Sequence, residues 1–275
     1  MFDIKTTQEL AKKVRRDIVD LTYQAGTNGT HIGGSLSIVE VLSVLYHDIM
    51  KFDKNNMVDE NRDRFIISKG HGAMAQYAVM HRIGILSDED MATFKKDGSS
   101  FSTHPYMNIK KGIEFSTGSL GHGLSLGVGS ALALKRKGNN TSKVFVMMGD
   151  GECDEGSIWE AAMSAANFNL DNLVLMIDKN RLQLDGFIEN IMKQGSLEDK
   201  WKSFGWKICK CDGHNIENIY KTFTEALKDQ EQPTVIFAHT IKGKGISFIE
   251  NQYNWHIGVL NDELYKKAVE ELEAQ

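Results

Sequence analysis

A chain of 275 residues, 41% hydrophobic and 25% charged, with a formal charge of −5 and a pI near 6.0, has an ordinary globular composition. The acidic balance argues against a nucleic-acid surface, and no stretch approaches the roughly 20 consecutive apolar residues of a membrane span. Cys153, Cys209 and Cys211 are too few and too poorly spaced for a disulfide framework, and no apolar run of a signal peptide opens the chain, so a cytoplasmic protein with reduced thiols is expected.

Gln8 to Ala25 sets Leu10, Val14, Ile18, Leu21 and Ala25 at helical spacing, which predicts an amphipathic helix. A polar loop, GTNGTHIGGS, opens into a second helical run from Leu36 to about Met50. Arg64–Ser68 reads as a short strand that Lys69-Gly70-His71-Gly72 turns into the helix AMAQYAVMHRIG. The stretch STGSLGHGLSLGVGSALALKRKG begins as loop and becomes helix by about Leu124. Two strand-like runs, Val144–Met148 and Leu173–Ile177, flank a helix from about Glu155 to Asn167. GWKICKC is a further strand, Ile216–Lys228 a helix and PTVIFAHT a buried strand. A last helix begins at Asn261, with Leu264, Ala268 and Leu272 on one face. This alternation predicts an α/β fold, a parallel sheet with helices on both faces, organised as one domain over residues 1–275.

The ends of the two central strands carry the chemistry. In an open parallel sheet, ligands gather beyond the carboxyl ends of the strands, where loops and helix N-termini converge. The first run ends in Gly149-Asp150-Gly151 and the second in Asp178-Lys179-Asn180. Glycines let a ligand approach the backbone, and the helix that follows offers free N–H groups to an anion. A carboxylate facing a phosphate repels it unless a cation stands between, so Asp150 suggests a divalent metal, Mg²⁺ or Ca²⁺, bridging protein and diphosphate. Asn180 supplies an amide oxygen to the same ion and the Leu182 carbonyl a third ligand. An isolated GDG reads as well as a plain turn with Asp150 capping a helix; the second strand with its own terminal Asn180 tips the balance.

With these residues in view, GDGECDEG…DKN resembles the thiamine diphosphate signature, and further motifs make the chain similar to the transketolase family. AGTNGTHIGGSLS resembles that family's early His-Pro-Gly loop with Ile32 in place of proline, ISKGHG its second histidine motif and STHP its third. STGSLGHG resembles the Thr-Gly-Pro-Leu-Gly loop with Ser119 in place of proline, and KGKG followed by WH resembles the last cofactor-domain motif. Gly121-x-Gly123-x-x-x-Gly127 is also a dinucleotide-type spacing, but only the weak strand IEFST precedes it, and no convincing acid follows about 20 residues on.

The resemblance implies that Asp150, Asn180 and the Leu182 carbonyl hold the metal. It places Gly149, Gly151 and Lys242 at the diphosphate, with Gly118 and Leu120 beside the cofactor. His31, His71, His104 and His256 would line the cofactor and sugar channel as catalytic residues, His71 and His256 also touching the cofactor. Imidazoles suit that work because they donate to hydroxyls and move protons near neutral pH. Glu155 matches a glutamate that links across a subunit interface, or simply stabilises a helix N-terminus as an acid. His47, His81, His214 and His239 read as surface or packing residues, and the role of His122 stays open.

The resemblance ends near residue 260, before the pyrimidine-binding and C-terminal domains of full transketolases. It therefore implies one half of a split transketolase, active with a separate C-terminal subunit that carries the pyrimidine-binding domain, in a heterotetramer about a two-fold axis. The implied reaction moves a two-carbon ketol unit between sugar phosphates. Two alternatives stand beside it: half of a related enzyme that condenses pyruvate, like deoxyxylulose phosphate synthase, and a non-catalytic binding protein of the same fold.

Overall fold

The computed structural model describes residues 2–228 and 231–274. Five apolar runs form one parallel sheet in the order β1-β2-β3-β5-β4: β1 (Arg64–Ile67), β2 (Val144–Gly149), β3 (Leu173–Lys179), β4 (Lys207–Asp212) and β5 (Thr234–His239). Because side chains alternate across a strand, each central strand feeds two cores. Phe145, Met147, Val174 and Met176 face one layer, while Val144, Val146, Leu173 and Leu175 face the other. The first layer holds the helices Ile4–Gln24, Ala73–Arg82 and Ile216–Ala226; the second holds Gly123–Arg136, Gly156–Asn167 and Leu197–Ser203.

The strand order explains which helix lies where. From β1 to β4 the chain steps one way across the sheet, leaving a gap that β5 fills on the way back. A right-handed crossover that reverses direction must use the opposite face. Accordingly Ile216–Ala226, which joins β4 to β5, packs in the first layer, whereas Gly156–Asn167, joining β2 to β3, packs in the second.

The fold matches the α/β expectation, with local differences. The first helix starts at Ile4, earlier than its apolar stripe, because the Asp3 carboxylate accepts the Lys5 N–H at 3.1 Å and caps it. The run expected to be one helix from Leu36 to Met50 is instead Ile32–Leu36, Val39–Val44 and a wider π-type turn, Leu45–Ile49. Ser37 sits at the break, its hydroxyl donating to Gly34 O at 3.1 Å and to the Asp178 carboxylate at 2.7 Å. A serine so engaged competes with helix continuation. IEFST forms no strand; Ile113 only bridges Asn108. The last helix spans Asp262–Glu273, with Asn261 as its cap. Cys209 and Cys211 are free, buried thiols on β4.

Candidate active site

The carboxyl ends of β1, β2, β3 and β5 open onto a cavity of about 300 Å³. Its floor is acidic. Asp150, 2% exposed, accepts the N–H of Gly151 at 2.9 Å and that of Arg181 at 2.6 Å. Burial, and then the charge of Asp178, push its carboxyl up to about 7. Asp178 lies fully buried beside Gly149 in the β2–β3 register. Its carboxylate gathers Lys69, Thr240, the Ser37 hydroxyl at 2.7 Å and the Asn180 amide nitrogen at 2.8 Å. Burial opposes its ionisation, but the Lys69 charge and these bonds outweigh it and hold Asp178 below the usual carboxylate range. With its nitrogen turned to Asp178, Asn180 aims its oxygen the other way, where it accepts the Leu182 N–H at 3.0 Å. The chain takes a left-handed step at Arg181 (φ 66°), so that Asn180 and Leu182 on either side both line the cavity.

Opposite this floor stands a wall of imidazoles. Ring centroids lie 5.6 Å apart for His31 and His71, 5.4 Å for His31 and His104, and 5.1 Å for both His31–His256 and His71–His256. Burial lowers all four, His31 to about 4 and His256 to about 3, with the neighbouring Lys242 and Lys69 charges adding to the effect on both. These rings are neutral at pH 7. Lys242 joins floor to wall: its ammonium, 2% exposed, lies 3.0 Å from His256 Nδ1 and donates to Gln183 O at 3.2 Å. Burial, then the Lys69 charge, bring it down to about 8.

Of the residues expected at the site, His31, His71, His104, Gly118, Leu120, Gly149, Asp150, Gly151, Asn180, Leu182, Lys242 and His256 share this one cavity. Glu155 does not line it; exposed on the surface, it precedes the helix Gly156–Asn167. His122 precedes the helix Gly123–Arg136 without a side-chain capping bond and borders a separate shallow hollow with Ser116 and Ser119. Five residues that line the cavity went unselected in the sequence: Gly34, Lys69, Glu152, Gln183 and Leu184. Glu152 is buried and braces the floor, accepting the N–H groups of Gly121 at 2.8 Å and Gly149 at 3.2 Å. Lys69, two residues past the end of β1 and just before Gly70, is 1% exposed and pairs with Asp178. The loops also depend on close backbone approach, since a Cβ on Gly70 would stand 2.8 Å from Gly118 N and Thr117 C.

The cavity suits a divalent cation with a diphosphate. Among the described residues, no group of three or more histidine, cysteine or carboxylate side chains could hold a metal alone. A cation here would draw on one carboxylate, one amide oxygen, one carbonyl and oxygens brought by the ligand, all hard donors. Among the described residues the Asp150 carboxylate meets only backbone N–H groups, and the Lys242 ammonium only a carbonyl and an imidazole, so neither buried group has a direct counter-charge there. His31 Nδ1 is buried with no hydrogen-bond partner in the wall. An anion beside Lys242, a cation beside Asp150 and a hydroxyl against His31 would answer all three.

The family model described as "Transketolase, thiamine diphosphate binding domain" matches residues 6–273. An apulose-4-phosphate transketolase subunit of Phocaeicola vulgatus is 42% identical over 271 residues, covering 98% of this chain and 95% of that protein. The 6-deoxy-6-sulfo-D-fructose transketolase subunit SqwG of a Clostridium species is 43% identical over 245 residues, 89% of each chain. The crystal structure of transketolase from Campylobacter jejuni superposes with a TM-score of 0.91 at 31% identity, covering 99% of this chain but 43% of the other.

Proposed function

Because this chain belongs to the transketolase family and matches its thiamine diphosphate-binding part, we propose that it is the corresponding subunit of a split transketolase. The observation that carries the reading is convergence: His31, His71, His104, His256, Asp150, Asn180 and Lys242, from separate loops, line one cavity. The apulose-4-phosphate relative, named as a subunit, matches this chain over 95% of its own length, and the Campylobacter jejuni transketolase over 43%. The partner in this reading is a separate subunit carrying the pyrimidine-binding domain, and two copies of each assemble about a two-fold axis. In this reading Glu155, which is exposed in this chain, is the acid that meets the partner.

In this reading Asp150, Asn180 and the Leu182 carbonyl hold Mg²⁺ or Ca²⁺, and Lys242 with the loops at Gly149, Gly151 and Gly118 receives the diphosphate. When bound, thiamine diphosphate supplies the carbanion chemistry that breaks and remakes the carbon chain. The protein's own part is electrostatic and positional. Lys242 offsets diphosphate charge from a buried position, where one ammonium counts for more than in solution. The neutral imidazoles of His31, His71, His104 and His256 accept from, or donate to, sugar hydroxyls and hold protons while the two-carbon ketol unit moves from ketose to aldose. Both relatives are named for sugars with an anionic group, a phosphate in one and a sulfo group in the other, so an anionic ketose is the substrate class.

The test combines this chain with its partner subunit, thiamine diphosphate and Mg²⁺. Ketol transfer from a ketose phosphate to an aldose phosphate is expected. Release of carbon dioxide from pyruvate would move the reading to the synthase type, and cofactor binding without any turnover would leave a binding protein.

A further inference from the structure

Behind the loop that carries Lys242, outside the cavity, three mostly buried side chains form a closed network. The backbone N–H of Ile241 donates to His214 Nε2 at 2.8 Å. A ring whose Nε2 accepts keeps its proton on Nδ1, and His214 Nδ1 lies 3.0 Å from Glu40 Oε2. The other Glu40 oxygen takes the Arg15 guanidinium. That guanidinium also donates to the carbonyls of Lys244 at 2.6 Å and Leu36 at 3.1 Å. The turn Ile241–Lys244 is thus gripped on both sides of Lys242, by an acceptor before it and a donor after it, with Glu40 joining the two grips.

The parts come from distant places: Arg15 from the first helix, Glu40 from Val39–Val44, His214 from the loop after β4. Their side chains are 6%, 12% and 14% exposed, so the network is interior structure and not a surface ion pair. The sequence alone read His214 as a surface or packing residue. A histidine that merely fills space needs no fixed tautomer, whereas this one has both ring nitrogens committed. Lysine places its charge on a flexible four-carbon stem, so the ammonium is located only as well as the backbone beneath it. A small slip of the turn would move it from its place beside His256.

We propose that His214, Glu40 and Arg15 are positioning residues that clamp the Ile241–Lys244 turn and thereby fix the Lys242 ammonium for diphosphate binding. The proposal rests on the reading of Lys242 as a diphosphate contact. Titration calorimetry of thiamine diphosphate with Mg²⁺ into the complex of this chain and its partner separates the two. Lys242→Met must weaken binding; unchanged affinity there overturns the reading of Lys242 itself. His214→Asn, too short to reach Ile241, then lowers cofactor affinity roughly tenfold, with kcat at saturating cofactor nearly unchanged. His214→Gln, whose side-chain oxygen stands where Nε2 stood, restores the affinity. Undiminished affinity in His214→Asn, or equal loss in both variants, overturns the clamp while Lys242 keeps its role. Should His214→Asn fail to fold, hydrogen exchange of the unaltered complex decides: a protected Ile241 amide supports the clamp, and exchange at open-loop rates overturns it.

Discussion

At the floor of the cavity Asp178 collects bonds from Lys69, Ser37, Asn180 and Thr240, whereas in the facing wall His31 keeps a buried Nδ1 with no partner. The floor is a charged network held by the protein's own groups, and each bond there fixes the direction of another. The wall is four neutral rings that touch one another more than they bond to anything. On the proposed function, a site that holds a highly charged diphosphate and also passes the hydroxyl groups of a sugar through needs both surfaces. Preorganised charge holds the resident group tightly, and unfilled hydrogen-bonding capacity waits for the transient one.

The contrast is broken most severely at Asp150. Asp150→Ala removes the carboxylate proposed as a metal ligand and should weaken metal-dependent cofactor binding by on the order of a hundredfold or more, read by calorimetry. Undiminished binding would detach the metal from the floor. On the wall the effect should fall on turnover instead. His31→Ala is expected to lower kcat/KM by about a hundredfold with cofactor affinity little changed. Since His31 and His256 sit at about 4 and about 3, neither contributes a step to the rate profile between pH 5.5 and 8.

Lys242, at the junction, belongs to both surfaces and makes the comparison quantitative. Its ligand-free value near 8, below the usual 10.5, means that keeping it charged costs the fold stability below pH 8 and that the cost fades as pH rises toward 10.5. Lys242→Met should therefore raise the melting temperature of the ligand-free chain at pH 7 while weakening the cofactor roughly tenfold. In the unaltered chain cofactor affinity should decline as pH climbs through 8 to 9.5, and in the variant this decline should vanish. The smallest effect is structural: Gly70→Ala presses a Cβ against the Thr117–Gly118 backbone and should cost about 1 kcal/mol in denaturant unfolding.

Much of this was legible in the amino-acid sequence, and unevenly so. The apolar runs at Val144 and Leu173 announced buried strands because residues facing two cores must be apolar throughout. Asp150 and Asn180 announced a site because polar residues at the ends of such strands have nowhere else to point. The break at Ser37 was not visible, since it depends on a carboxylate 141 positions away. Glu152 and Glu155 are acids in one short stretch, and only the path of the backbone buries the first and exposes the second. The role of His214 was hidden for the same reason: Glu40, Arg15 and Ile241 lie far from it in the chain.

The return of β5 into the gap between β3 and β4 has a consequence for synthesis on the ribosome. β4 hydrogen-bonds within the sheet to β5 alone, so it emerges with nothing to pair with until residues 234–239 have followed. Lys242 and His256 lie later still. A nascent chain can thus begin the floor from β2 and β3 early, but it gains the contacts of Lys242 and His256 only after β5 has been translated. The cofactor's grip then becomes a late checkpoint of folding, closed by long-range contacts that form slowly.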